Sequence, residues 1–207
     1  MKTELNIENW NRKEHFRFFK DFEEPFYGVC VNVDCTKAYA LAKAKGYSFF
    51  LYYLHKSLTA ANSMESFKYR IENDKVVIYD TIHASSTVLR PDHTFGFADF
   101  EYDTDFALFE SKAKAEIQSV CNERDLKMTR FENGIIHYSA VPWMHFTSLS
   151  HARRFSIGDS CPKISFGKVI DDGTRKLMPV SIHAHHALMD GFMIGEYFNA
   201  FQKLLNE

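Results

Sequence analysis

The residues with the most chemistry to offer lie close together near the end of the chain: His183, His185, His186 and Asp190. Imidazole changes charge near neutral pH, so a positioned histidine can act as a general base. From Met178 to His186 the residues alternate. Met178, Val180, Ile182, Ala184 and His186 share one face of a predicted strand; Pro179, Ser181, His183 and His185 share the other. His186 thus ends an apolar row and is predicted to face the interior, where partial desolvation favours the neutral imidazole that a base requires. His185, Asp190 and nearby backbone carbonyls are the candidates to fix its tautomer. Two other readings stay open. One is a structural histidine at a strand end. The other is a metal site drawing on His183, His185, His186 and Asp190, but alternation splits those histidines between two faces. No metal is expected.

The surrounding pattern supplies elements to hold these residues. Residues 25–34 are aromatic and β-branched and predict a strand. Residues 36–45 have helix-forming composition and stop at Gly46. Residues 48–61 are apolar on most sides, which predicts a buried helix. Residues 75–90 predict strands, and 104–122 an amphipathic surface helix with Phe106, Phe109, Ala113, Ile117 and Val120 on one side. Residues 134–143 return to strand. Residues 163–169 and 176–186 predict a hairpin turned at Asp171-Asp172-Gly173, and Asp190-Gly191 opens a final helix. Strands and helices are intermixed and hairpins dominate late in the chain. This predicts an α/β (α+β) fold, a mixed sheet covered by helices, as a single domain over residues 1–207.

Composition excludes several function classes. The chain has 25 basic and 27 acidic residues among 207, with no basic patch of the kind nucleic acid requires. No apolar stretch approaches the roughly 20 residues that span a bilayer, and the N-terminus has no apolar signal core, so a cytoplasmic protein is expected. The four cysteines lack zinc or redox spacing and are expected to be reduced. The 20 Phe and 10 Tyr suit pockets and subunit interfaces.

The segment His185-His186-Ala187-Leu188-Met189-Asp190-Gly191-Phe192 resembles the HHxxxDGF signature of chloramphenicol acetyltransferases. Trp10-Asn11-Arg12-Lys13-Glu14-His15-Phe16 resembles that family's N-terminal motif, and Pro142-Trp143-Met144-His145-Phe146-Thr147-Ser148 its P-W-[VI]-S-F-T-S. Pro162 to Lys168 and Leu177-Met178-Pro179 follow the family too, so the likeness runs in order along nearly the whole chain. It implies an acyltransferase with acetyl-CoA as co-substrate, no bound cofactor and a small-molecule hydroxyl acceptor. It also implies a homotrimer with active sites at subunit interfaces. His186 would be the general base, and transfer would be direct, without an acyl-enzyme. Asp190 would pair with Arg12. Ser165 matches a threonine that helps hold a water near the tetrahedral intermediate. Lys45, Tyr47 and Lys168 match positions near the CoA nucleotide, and Phe18 and Phe19 the aromatic wall of the acceptor pocket.

One position departs from the pattern. The reading of P-W-[VI]-S-F-T-S that gives its first serine the oxyanion bond puts His145 in that role. Three outcomes follow: His145 donates in place of serine, the enzyme takes another acceptor, or the chain is a non-catalytic trimer that binds a small ligand. A dihydrolipoamide acyltransferase core shares the signature, but no lipoyl or linker segment precedes the N-terminal motif here.

Overall fold

The structure is a computed structural model and describes residues 1–153 and 158–207. Its strands are β1 (Lys2–Glu4), β2 (Phe26–Asp34), β3 (Tyr69–Glu72), β4 (Lys75–Tyr79), β5 (His83–Leu89), β6 (Phe95–Phe100), β7 (Ile135–Val141), β8 (Lys163–Gly167), β9 (Ile170–Asp171) and β10 (Lys176–His185). Its α-helices are α1 (Lys13–Phe19), α2 (Thr36–Lys45), α3 (Phe49–Asn62), α4 (Phe106–Asn122) and α5 (Gly191–Leu205). The large sheet runs β2-β10-β8-β7-β5-β6, with β9 paired to β10. β7 is parallel to β5 and β8; the other pairs are antiparallel, so the sheet is mixed. β1, β4 and β3 form a small antiparallel sheet.

Local chemistry explains the element ends. α2 stops where Gly46 adopts φ +69°, a left-handed conformation that suits glycine. Ser48, Asp105 and Asp190 cap α3, α4 and α5 by accepting backbone N–H bonds. The predicted late hairpin is present as β8 and β10, with Gly173 at φ +89° in the turn. The short pieces β1, β3 and β6 and the helix α1 carry too little periodicity to stand out in the sequence.

Alternation gives the sheet two unlike faces. Tyr138, Phe166, Val180 and Ile182 join the core beneath α3 and α5, where Tyr53 of α3 packs on Phe166 with ring centroids 4.7 Å apart. On the opposite face, Ser139, Ser165 and Ser181 lie opposite one another on β7, β8 and β10. His137, Lys163 and His183 form the next row. Residues 142–153 cross this polar face: the Cys30 thiol lies 3.8 Å from the Phe146 carbonyl, and His151 meets His183 edge-on at 5.0 Å.

Candidate active site

β10 ends at His185, one residue earlier than alternation predicts, and the chain turns there. The Leu188 and Met189 N–H groups donate to the His185 carbonyl at 2.9 and 3.1 Å. His185 is therefore the buried member of the pair, while His186 sits half-buried in the turn. The physical reason is the turn itself, which rotates His186 out of the strand's pleat. The His186 N–H donates to the Pro25 carbonyl at 2.8 Å. Its ring stacks on Phe19, centroids 4.1 Å apart and 5° from parallel, and faces Tyr27 at 4.5 Å. Nδ1 is buried with no hydrogen-bond partner among the described residues. Stacking, not a carboxylate, holds this imidazole, and Nε2 is the nitrogen left for an acceptor.

Asp190 serves two elements. Its Oδ1 accepts from the Phe192 and Met193 N–H groups at 3.0 and 3.3 Å, capping α5. Its Oδ2 accepts from Arg12 Nη1 at 2.5 Å. Burial works to raise the carboxyl, but the bonds from Arg12 and Met193 and the guanidinium charge outweigh it and hold Asp190 below the usual carboxylate range. Arg12 is buried, and this pair ties the start of α1 to the turn that carries His186. The Tyr27 hydroxyl is buried without a hydrogen-bond partner among the described residues. Burial and then the Asp190 charge push its ionisation upward, against Arg12.

Ser165 is fully buried on β8, with Oγ 3.4 Å from His151 Nε2. Burial, and then the neighbouring His183, Lys163 and His137, push His151 down to about 4. A cavity of about 540 Å³ opens on this face, lined by residues that include Ser85, Thr87, Phe95, Phe97 and Ser139. Within one chain Ser165 and His186 do not meet. Ser165 lies opposite Ser181, four residues before His185, roughly 13 Å along an extended strand.

A model of the chloramphenicol acetyltransferase family matches residues 1–202. The chain belongs to the chloramphenicol acetyltransferase family. It is therefore an acyltransferase. It is 28% identical to a chloramphenicol acetyltransferase of Klebsiella sp over 206 residues, 99% of this chain and 94% of that one. A second relative, chloramphenicol acetyltransferase 3 of Escherichia coli, is 24% identical over 99% of this chain and 97% of its own. A solved structure titled chloramphenicol acetyltransferase superposes with a TM-score of 0.92 at 35% identity, covering 99% of this chain and 100% of the other. A dihydrolipoamide acetyltransferase of Azotobacter vinelandii, at TM-score 0.66 and 14% identity over 88% of this chain and 82% of its own, shares the fold.

The other predicted residues of this acetyltransferase-family chain fall in three places. Phe18, 65% exposed, meets Phe19 edge-on at 4.9 Å, and Phe19 alone of the two stacks on the His186 ring. Lys45 is exposed at the end of α2, and Tyr47 packs edge-on against Phe106 at 4.8 Å. Lys168 is exposed after β8, and neither lysine has a carboxylate partner among the described residues. His145 is exposed, with Nδ1 3.4 Å from the Lys168 carbonyl oxygen. Sequence reasoning passed over Ser139, Tyr27 and His151. Ser139 had a signal: alternation along residues 134–143 sets His137 and Ser139 on one face, opposite the strand that bears Ser165.

The metal set considered from sequence does not assemble as one group. Instead His137, Asp159 and Cys161 bring one donor atom each within 4.8 Å of one another. Asp159 already accepts from Lys163 and from the Cys161 N–H, and the Cys161 thiol lies 3.5 Å from the Asn133 carbonyl, a hydrogen-bond contact. No helix among the described residues is long and apolar enough to cross a membrane.

Proposed function

We propose that this chain transfers an acetyl group from acetyl-CoA to a hydroxyl of chloramphenicol or a similar small alcohol, with no bound cofactor. The observation that carries the reading is His186, stacked on Phe19 and set beside a tilted Tyr27 ring in a turn tied by the Arg12–Asp190 pair. In this reading Nε2 takes the acceptor's proton as its oxygen attacks the thioester carbonyl carbon. The tetrahedral oxyanion then collapses, the carbon–sulfur bond breaks, and the CoA thiolate takes the proton back from His186. Phe18 and Phe19 wall the acceptor, and Lys45, Tyr47 and Lys168 contact the CoA nucleotide. Lysines serve phosphate as point charges.

Two refinements come from the geometry. Ser139, not His145, is the better oxyanion donor. It shares a register row with Ser165 and lines the cavity, whereas His145 points its ring nitrogen at the Lys168 carbonyl on the surface. And the separation of His186 from that cavity within one chain supports a homotrimer in which one copy brings His186 to the Ser139–Ser165 face of the next. A soluble, cytoplasmic, single-domain enzyme fits this reading.

The test is thiol release from acetyl-CoA in the presence of chloramphenicol. Release that requires both acceptor and His186 is expected. A folded chain that binds CoA yet releases no thiol with any alcohol would sink the proposal and leave the ligand-binding alternative.

A further inference from the structure

The cavity proposed above for the acceptor has its charges already matched. Lys163, 7% exposed, donates to the Asp159 carboxylate, and Arg153 pairs with Glu24. Beside them the lining offers the hydroxyls of Ser85, Thr87 and Ser139 and the rings of Phe95 and Phe97. Such a wall suits a molecule without net charge, part apolar and part hydrogen-bonding, because a buried ion needs a countercharge of its own.

One imidazole in this wall is held on two sides. His151 lines both this cavity and an adjoining one of about 210 Å³. Its Nε2 lies 3.4 Å from the Oγ of the fully buried Ser165, and the two share a hydrogen bond. Its ring meets His183 edge-on, with the planes 90° apart. His183 in turn is seated over Gly28, its partner across β10 and β2. A Cβ at residue 28 would lie 2.4 Å from His183 Nε2, so the missing side chain makes the room for that ring.

The imidazoles around this point are neutral ones. Burial, then the charges of Lys163 and Arg153, lower His183. Burial, then the Arg153 charge, push the nearby His185 down to about 4. Burial and its cationic neighbours hold His151 at about 4 as well. A neutral imidazole has one N–H and one lone pair to offer. Ser165 engages Nε2, which leaves Nδ1 of His151 for a bound molecule.

We propose that His151 is a specificity-determining residue: its Nδ1 hydrogen-bonds a neutral polar group of the acceptor, an amide or a second hydroxyl, while the reacting hydroxyl goes to His186. This rests on the acceptor-site reading above and adds to it the residue that reads the rest of the molecule. Ser165 and His183 are the groups that hold the ring in place.

The experiment is steady-state kinetics of the full chain with chloramphenicol and acetyl-CoA. His151→Leu should raise the KM for chloramphenicol roughly 3–10-fold, the worth of one neutral hydrogen bond, and leave the KM for acetyl-CoA unchanged. His151→Asn keeps a polar atom where Nδ1 stands and should recover most of that loss. A ring with a merely structural role would instead lower the melting temperature and move both KM values together. A chloramphenicol KM that stays put in His151→Leu, or that rises equally in the Leu and Asn variants, overturns the inference even while acetylation proceeds. Should His151→Leu not fold, or chloramphenicol not be acetylated, ¹⁵N NMR of the imidazoles in the native chain decides without acetyl-CoA. Chloramphenicol or benzamide should displace the His151 Nδ1 resonance, assigned by its loss in His151→Asn. A displacement without turnover would fault the transfer step and uphold this contact. No displacement with either compound overturns it.

Discussion

At the scale of single residues, the proposed mechanism turns on one imidazole and one hydroxyl. His186→Ala should lower kcat/KM by on the order of 10²–10⁴, the usual range for general-base catalysis, with an unchanged melting temperature. Substantial residual turnover would remove His186 from that role. Ser139→Ala should cost about 10²–10³ in kcat, as loss of an oxyanion donor does elsewhere. His145→Ala, by contrast, should change kcat less than about threefold, since truncation at an exposed loop position loses no oxyanion donor. The reverse ordering would restore His145 as the donor. The contrast is instructive about legibility. His186 was visible in the sequence because a signature surrounds it. Ser139 was not, because its significance comes from Ser165 on a neighbouring strand 26 residues away.

Among elements, the Arg12–Asp190 pair joins α1 to the turn before α5. Asp190 is a third exposed on its side chain, so solvent screens the pair. Loss of Arg12 should destabilise the chain by about 1–3 kcal/mol, below the 3–5 kcal/mol of a fully buried pair. Asp190→Ala should cost about 1 kcal/mol more than Asp190→Asn, because asparagine still caps α5. Thermal denaturation of the three variants checks this, and equal losses for Ala and Asn would mean that the cap contributes nothing. Both effects should reach activity as well, since the same turn presents His186.

The whole molecule raises two further expectations. The first concerns assembly. If the base of one copy serves the pocket of another, mixing inactive His186→Ala and Ser139→Ala chains should recover activity on reassembly, because hybrid trimers contain some intact sites. Sedimentation should give three chains per particle. A monomer with full activity would refute the shared site. The second concerns acid. His151 and His185 are held near 4, well below the ordinary 6.5 of histidine. The unfolded chain therefore binds more protons between those values. Their contribution is fully present above about pH 6.5 and is lost as pH falls toward 4. For the buried His185 this is of order 3 kcal/mol at most. Melting temperature should drop across that window, and His185→Gln should flatten the drop.

The sequence by itself determined the family, the mixed α/β class and the chain segments that carry chemistry. Each of these rests on local pattern: strand alternation, glycine stops at Gly46 and Gly173, and short motifs such as that from His185 to Phe192. It also named Arg12 and Asp190 as partners, but only through resemblance; 178 residues separate them, and nothing local links them. Tertiary structure alone decided which histidine is buried, because a turn at His185 overrides the alternation that predicted His186. It alone set Ser139 beside Ser165, His151 against Ser165, and Lys163 with Asp159 in a cavity wall. Such meetings depend on strand order and on a crossing segment that packs over the sheet, and neither leaves a periodic trace in the chain.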